Sequence, residues 1–288
     1  MSIDSTERDF QLRSATPSLT THQRSRRSAA FARTRILKAI CRPLFGLTVA
    51  VLISGPAFGA PKSVLELYTS QGCSSCPAAD KLIGEYAKRD DLLVLSFNVD
   101  YWDYLDWKDT LASRDNSDRQ RAYGAARGDN DVYTPQVIIN GRDYMAGSDK
   151  AKIESALMRA APLPIGIDLS EKDDAITVHI GGDKKLVHDR ATLWLVFYKE
   201  QVSVPIERGE NIGKTITYTN VVRKLRPIAM WKGEEMSVDL PKSEMAKAKT
   251  KRCAVLLQTE NAAGLPGPVL GAAMLDEQRN SLETNPAN

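Results

Sequence analysis

The sequence predicts an α/β domain over residues 62–162 followed by an all-β, sandwich-like domain over residues 163–276, with a leader over 1–59 and a flexible tail over 277–288. Three observations carry this. Val64 to Tyr68 and Leu92 to Val99 are short apolar runs flanking a segment whose apolar residues recur every three and four positions, the order strand, helix, strand. Beyond Pro162 and Pro164, seven short segments rich in β-branched or aromatic residues follow one another without an amphipathic helix between them. Two cysteines with two residues between them, Cys73 and Cys76, fall where the first helix should begin. The 288 residues are 42% apolar and 26% charged, a globular composition that argues against disorder, collagen and a multi-span membrane protein.

The leader reads as an export signal. Arg24, Arg26, Arg27, Arg33, Arg35, Lys38 and Arg42 occur without an acid among them, and the apolar run Leu44 to Ile53 that follows is too short to span a bilayer. Ser54, Gly55 and Pro56 end the run, and Ala57 and Gly59 stand at the −3 and −1 positions of a cut before Ala60. A periplasmic or secreted protein with no stable membrane span after cleavage is the expectation; an uncleaved amphipathic anchor is the alternative. The leader holds nine basic and three acidic residues, leaving 30 basic against 33 acidic, so no basic surface points to nucleic acid.

In the α/β part, Val64 to Tyr68 reads as a buried strand and Thr69 to Gly72 as a polar turn. Ala79, Leu82, Ile83, Tyr86 and Ala87 form one apolar helix face, with Pro77 tolerated because first-turn amides lack intrahelical partners. Leu92 to Val99 is apolar enough to be buried on both faces, as a central parallel strand is. An aromatic and acidic loop, Tyr101 to Lys108, precedes a helix from about Asp118 to Arg127, with Ser117 and Gln120 in capping-box spacing and Gly128 at its end. Gln136 to Ile139, Asn140-Gly141 and Arg142 to Met145 read as a hairpin, and Lys150 to Ala160 as a closing helix. The later strands are expected at Ile165 to Leu169, Ala175 to Ile180, Thr192 to Tyr198, Thr215 to Val222, Met236 to Leu240, Cys253 to Thr259 and Val269 to Leu275.

Cys41 leaves with the leader, so the mature chain keeps Cys73, Cys76 and Cys253. The Cys73/Cys76 spacing permits a small disulfide ring that persists outside the cytosol. A zinc site would have to draw on Cys253, His179 and His188 from far along the chain, and no metal site or cofactor is expected. A thiol at a helix N-terminus is stabilised as the reactive thiolate, which makes Cys73 the nucleophile and Cys76, one turn deeper, the resolving thiol. A permanent staple is the alternative. Cys253 alternates with Val255 and Leu257 and reads as a buried, inert thiol.

Together, the element order and motifs resemble the thioredoxin fold, in which a Cys-x-x-Cys opens the first helix and a cis-proline precedes the third core strand. The resemblance implies a cis Thr134-Pro135 bond against the disulfide. More closely, the chain is similar to the bacterial family called domain of unknown function 1223, through Leu65 to Pro77 (Leu-Glu-Leu-Tyr-Thr-Ser-Gln-Gly-Cys-Ser-Ser-Cys-Pro), Asn98 to Leu105, Arg119 to Tyr123, Tyr133-Thr134-Pro135-Gln136, Asn140-Gly141 and Gly271-Ala272-Ala273. Glu66, a lone acid in an apolar strand seven residues before Cys73, resembles the buried acid that moves protons in thioredoxins. If desolvated, it would have a raised pKa and take the proton of Cys76; the alternative is a salt-bridged or exposed residue.

The expected site is therefore Cys73, Cys76, Thr134, Pro135 and Glu66, and the expected function thiol–disulfide exchange with protein or small-molecule thiols and disulfides. Soft-metal (copper) binding and a non-catalytic binding module are the alternatives.

Overall fold

The computed structural model describes residues 60–104, 106–186, 190–250 and 252–275. The leader expected to be an export signal, with Cys41, and His188 and the expected tail lie outside the described residues.

Strand β1 (Ser63–Thr69), helix α1 (Cys76–Tyr86) and strand β2 (Leu92–Asn98) open the fold, with β1 and β2 parallel from Ser63 opposite Leu92 to Thr69 opposite Asn98. Because side chains alternate along a strand, Leu65 and Leu67 pack with Ala79 and Ile83 of α1, while Val64, Glu66 and Tyr68 face the other way. Helix α2 (Arg114–Arg127) starts a turn earlier than expected, since Ser113 is the N-cap and accepts from the Asn116 amide. Ser117 instead donates to the Asp100 carboxylate. Gly128 closes the helix at φ 81°, a conformation glycine adopts without a Cβ clash. Strands β3 (Gln136–Ile139) and β4 (Asp143–Ala146) form the expected hairpin, with Asn140 and Gly141 at φ 51° and 67°, before helix α3 (Lys150–Arg159).

The rest of the chain supplies β5 (Ile167–Lys172), β6 (Ala175–Ile180), β7 (Arg190–Pro205), β8 (Thr215–Trp231), β9 (Met236–Pro241), the short helix α4 (Ser243–Lys247), β10 (Arg252–Glu260) and β11 (Pro266–Met274). One eight-stranded sheet runs β11-β10-β7-β8-β2-β1-β3-β4, and β5-β6-β9 form a second sheet of three strands.

This topology corrects the expected fold class, a thioredoxin-like α/β domain followed by an all-β sandwich-like domain. Among the described residues strand outweighs helix, 43% against 20%, and strands from both halves share one mixed sheet. The junction is β2 with β8, parallel at Ser96 opposite Val221, where the Ser96 hydroxyl donates to the Thr219 carbonyl at 2.7 Å and the Asn220 side-chain amide to the Val94 carbonyl at 2.9 Å. The physical cause is the outer edge of β2. All seven of its residues are buried, so its outward N–H and C=O groups need a partner strand, and the long β7–β8 hairpin provides one.

The two ends of the large sheet also meet. The Val269 amide donates to the Asn140 carbonyl at 2.9 Å, and a Cβ on Gly141 would stand 2.4 Å from the Gly267 carbonyl oxygen. One apolar cluster joins Val64, Phe97 and Ile138 to Val196, Leu256 and Ala272, so the face of β1 that carries Glu66 is enclosed by strands from both halves. The three-stranded sheet packs Ile167, Val178 and Leu240 against Leu193, Val255 and Leu257 in a second cluster. Among the described residues no helix is long and apolar enough to cross a membrane.

Candidate active site around the Cys73–Cys76 disulfide

Cys73 and Cys76 form a disulfide across the turn from β1 into α1, with Cα atoms 5.4 Å apart. The Cys73 amide donates to the Ser70 carbonyl and the Cys76 amide to the Cys73 carbonyl. Ser75 precedes the helix without a side-chain cap bond, and the first turn of α1 holds no acid of its own. Both sulfurs are covered: Cys73 is 1% and Cys76 0% exposed. The cover over Cys73 is thin, because Ser74 and Ser75 are exposed and the Ser75 hydroxyl lies 3.4 Å from Cys73 Sγ.

Two segments close over this turn. From the tip of the β7–β8 hairpin, the fully buried Asn211 donates its side-chain amide to the carbonyls of Gln71 at 2.9 Å and Cys73 at 2.8 Å. Glu210 accepts from the Ser74 amide at 3.2 Å. From the loop after β2, Trp107 donates to the side chain of the buried Gln71 at 2.8 Å, and Trp102 packs on Gly72, where an added Cβ would lie 3.1 Å from Trp102 Cβ. An Arg208–Asp106 ion pair at 3.7 Å ties the two segments together.

Thr134 and Pro135 join the same neighbourhood. Their peptide bond is cis. Thr134 accepts from the Trp102 indole at 2.7 Å, and Pro135 lies beside α1, since a Cβ on Gly147 would stand 3.1 Å from Pro135 Cβ and 3.2 Å from Ala79 Cβ. Glu66 is not brought to the sulfurs. It faces away from α1, fully buried, in a two-point ion pair with Arg119 at 2.7 and 2.9 Å, and it accepts from Tyr123 at 2.7 Å and Tyr68 at 3.0 Å.

The acid that does lie on the cysteine helix is Asp80, four residues after Cys76 and therefore on the same helix face. It is 3% exposed, and neither carboxyl oxygen has a hydrogen-bond partner among the described residues. Burial pushes its pKa well above the usual carboxylate range against the opposing effect of the Thr69 hydroxyl, and the Asp109 carboxylate adds to the rise. Asp109 is also raised by burial, although it accepts from the amides of Gln71, Leu111 and Ala112 and from Asn98. Tyr218, raised by burial and by both acids, adds a hydroxyl without a partner, so a buried acidic cluster lies inside the cysteine helix. Sequence reasoning missed Asp80, yet a signal existed: it interrupts the apolar face of Ala79, Leu82 and Ile83.

The remaining candidates lie elsewhere. Cys253 is buried in the cluster between the two sheets, and burial lifts its thiol pKa to about 12. His179 shares a 2.7 Å hydrogen bond with Ser237 on an exposed surface. Among the described residues no group of three or more His, Cys, Asp or Glu is placed to hold a metal ion.

A family model described as protein of unknown function (DUF1223) matches residues 64–258. An X-ray crystal structure of protein AGR_C_4864 from Agrobacterium tumefaciens is similar with 36% identity and a TM-score of 0.67, over 76% of this chain and 96% of that one. HBP35 of Porphyromonas gingivalis shares the fold at 13% identity and a TM-score of 0.52, over 75% of each chain. No curated protein matches.

Proposed function

We propose, from the premise that this chain belongs to the DUF1223 family of proteins of unknown function, that it is an exported protein that exchanges disulfides with protein or small-molecule thiols through Cys73 and Cys76. The single observation that carries this reading is the disulfide seated at the amino end of α1, with Cys73 Sγ beside the hydroxyl of the exposed Ser75. In the reduced protein the Cys73 thiolate attacks a partner disulfide, forming a mixed disulfide and expelling one partner thiolate. Cys76, losing its proton, then attacks Cys73 Sγ, restoring the Cys73–Cys76 bond and expelling the second partner thiolate. The reverse sequence oxidises the partner's dithiol. Asp80, buried one turn beyond Cys76 on the same face of α1, is the acid to which we assign exchange of that proton. The basic leader followed by a short apolar run supports export, and an oxidising compartment keeps such a bond formed.

Incubation with a mixed-disulfide reporter tests this reading. Cys73→Ser abolishes exchange, and Cys76→Ser accumulates a trapped adduct on Cys73; wild-type turnover in both variants overturns it.

The burial of both sulfurs favours a second reading, a brace that fixes the β1–α1 turn. A ring this small restricts the unfolded chain relatively little, which makes it a weak staple.

A further inference from the structure

Away from the disulfide, a cavity of about 340 Å³ opens between the start of α2 and strands β7, β8 and β10. Its floor is the Arg119 guanidinium, whose side chain is 7% exposed. Nε and one terminal nitrogen are used: they bond Glu66 at 2.7 and 2.9 Å, and that terminal nitrogen also reaches Tyr123 and Gln258. The other terminal nitrogen has no partner among the described residues. Because Glu66 already balances the charge, these free N–H groups suit a neutral acceptor such as a carbonyl oxygen better than an anion. The walls are apolar, formed by Trp194, Leu225 and Pro266.

At the rim stand three acids, Asp115, Asp118 and Glu260. Asp118 is occupied by Arg114 at 3.5 Å and Arg121 at 2.8 Å. Asp115 and Glu260 have no ion-pair partner within 4.0 Å among the described residues, although Arg190 stands across the strand pair from Glu260. Charge-balanced guanidinium donors below, an apolar wall and two unpaired carboxylates above define one complementary molecule.

We infer that this cavity binds an aliphatic primary amine that carries an aromatic side chain and a carbonyl group: the carbonyl oxygen on Arg119, the aromatic ring against Trp194, and the ammonium group toward Asp115 and Glu260. A cavity of this size accepts a molecule of about a dozen non-hydrogen atoms. A free amino-acid amide and the amino terminus of a peptide beginning with an aromatic residue share this chemistry.

Calorimetric titration of the full chain with phenylalaninamide tests the assignment. Saturable binding with a Kd on the order of 1 mM or tighter is expected. Glu260→Gln combined with Asp115→Asn weakens it about tenfold or more. Ala122→Leu, which fills the cavity from a half-buried helix position, abolishes it. N-acetylphenylalanine, in which a carboxylate replaces the cation, does not bind. If the tripeptide amide of phenylalanine and two glycines binds as tightly as phenylalaninamide, the natural ligand is a peptide terminus; if the extension abolishes binding, it is a free amine. No saturation by phenylalaninamide, equal binding of N-acetylphenylalanine, or undiminished binding by Ala122→Leu overturns the inference. None of these variants touches the disulfide, so exchange activity reports separately.

Discussion

Asn211 holds the carbonyl of Cys73 at 2.8 Å from 138 residues further along the chain. With its bond to Gln71, this makes the β7–β8 hairpin tip a strap tied to the backbone of the cysteine turn. The strap bends where Gly209 and Gly213 sit at φ 77° and 80°, conformations that side chains disfavour.

Asn211→Ala removes both bonds, each worth about 1 kcal/mol, and should therefore speed reduction of the Cys73–Cys76 bond by dithiothreitol roughly tenfold or more. Stopped-flow monitoring of the reduction reads this directly. An unchanged rate would mean that the hairpin does not control access.

The redox potential of the couple separates exchange from bracing. An exchanging centre should equilibrate with glutathione, at about −120 to −270 mV, whereas a structural bond lies below about −300 mV. Thiol trapping across a glutathione series gives the value.

Asp80 makes stability depend on pH. Its pKa is raised in the folded protein, so between the ordinary carboxylate range and the folded value the native state keeps a proton that the unfolded chain has lost. Stability therefore falls as pH rises through that window, by up to about 1.4 kcal/mol per pH unit. Asp80→Asn should flatten the decline, leaving the part with the same sign from Asp109. Urea titrations from pH 4 to 8 in about one-unit steps check it, and parallel curves for the two proteins would refute it.

Breaking the Glu66–Arg119 pair leaves a buried guanidinium without its counter-charge. Glu66→Gln should cost about 3–5 kcal/mol of stability, because both side chains are almost wholly enclosed. Since Glu66 faces away from α1, the reduction rate of the disulfide should stay near wild type. A large fall in that rate with little loss of stability would restore a direct role in proton transfer.

Cys253 should not react with a thiol reagent in the native protein. Burial and a pKa of about 12 suppress its thiolate at neutral pH. Labelling in the absence and presence of denaturant should show one thiol appearing only on unfolding; rapid native labelling would contradict its burial.

Much of the site was legible locally. Pro77 and the periodic apolar residues mark the start of α1, and Asn140-Gly141 marks the turn that the structure shows. Helix α2 starts a turn before the expected Ser117 cap because Ser113 caps it, while the Asp100 carboxylate, brought close by folding, occupies the Ser117 hydroxyl. Glu66 looked like a lone acid because Arg119 lies 53 residues away. Asp80 was hidden among apolar neighbours that explained the helix without it.

By itself, then, the sequence determined the parallel β–α–β beginning, the cysteine turn at a helix start and the β-rich second half, because each depends on periodicity, capping or turn chemistry within a few residues. Tertiary structure alone decided that the halves share one sheet, that Glu66 pairs with Arg119 rather than serving the cysteines, and that Asn211 binds the Cys73 carbonyl. A strand edge such as that of β2 presents the same backbone donors and acceptors to any partner, so local sequence carries no address for β8; the choice rests on side chains that meet only once the chain has folded.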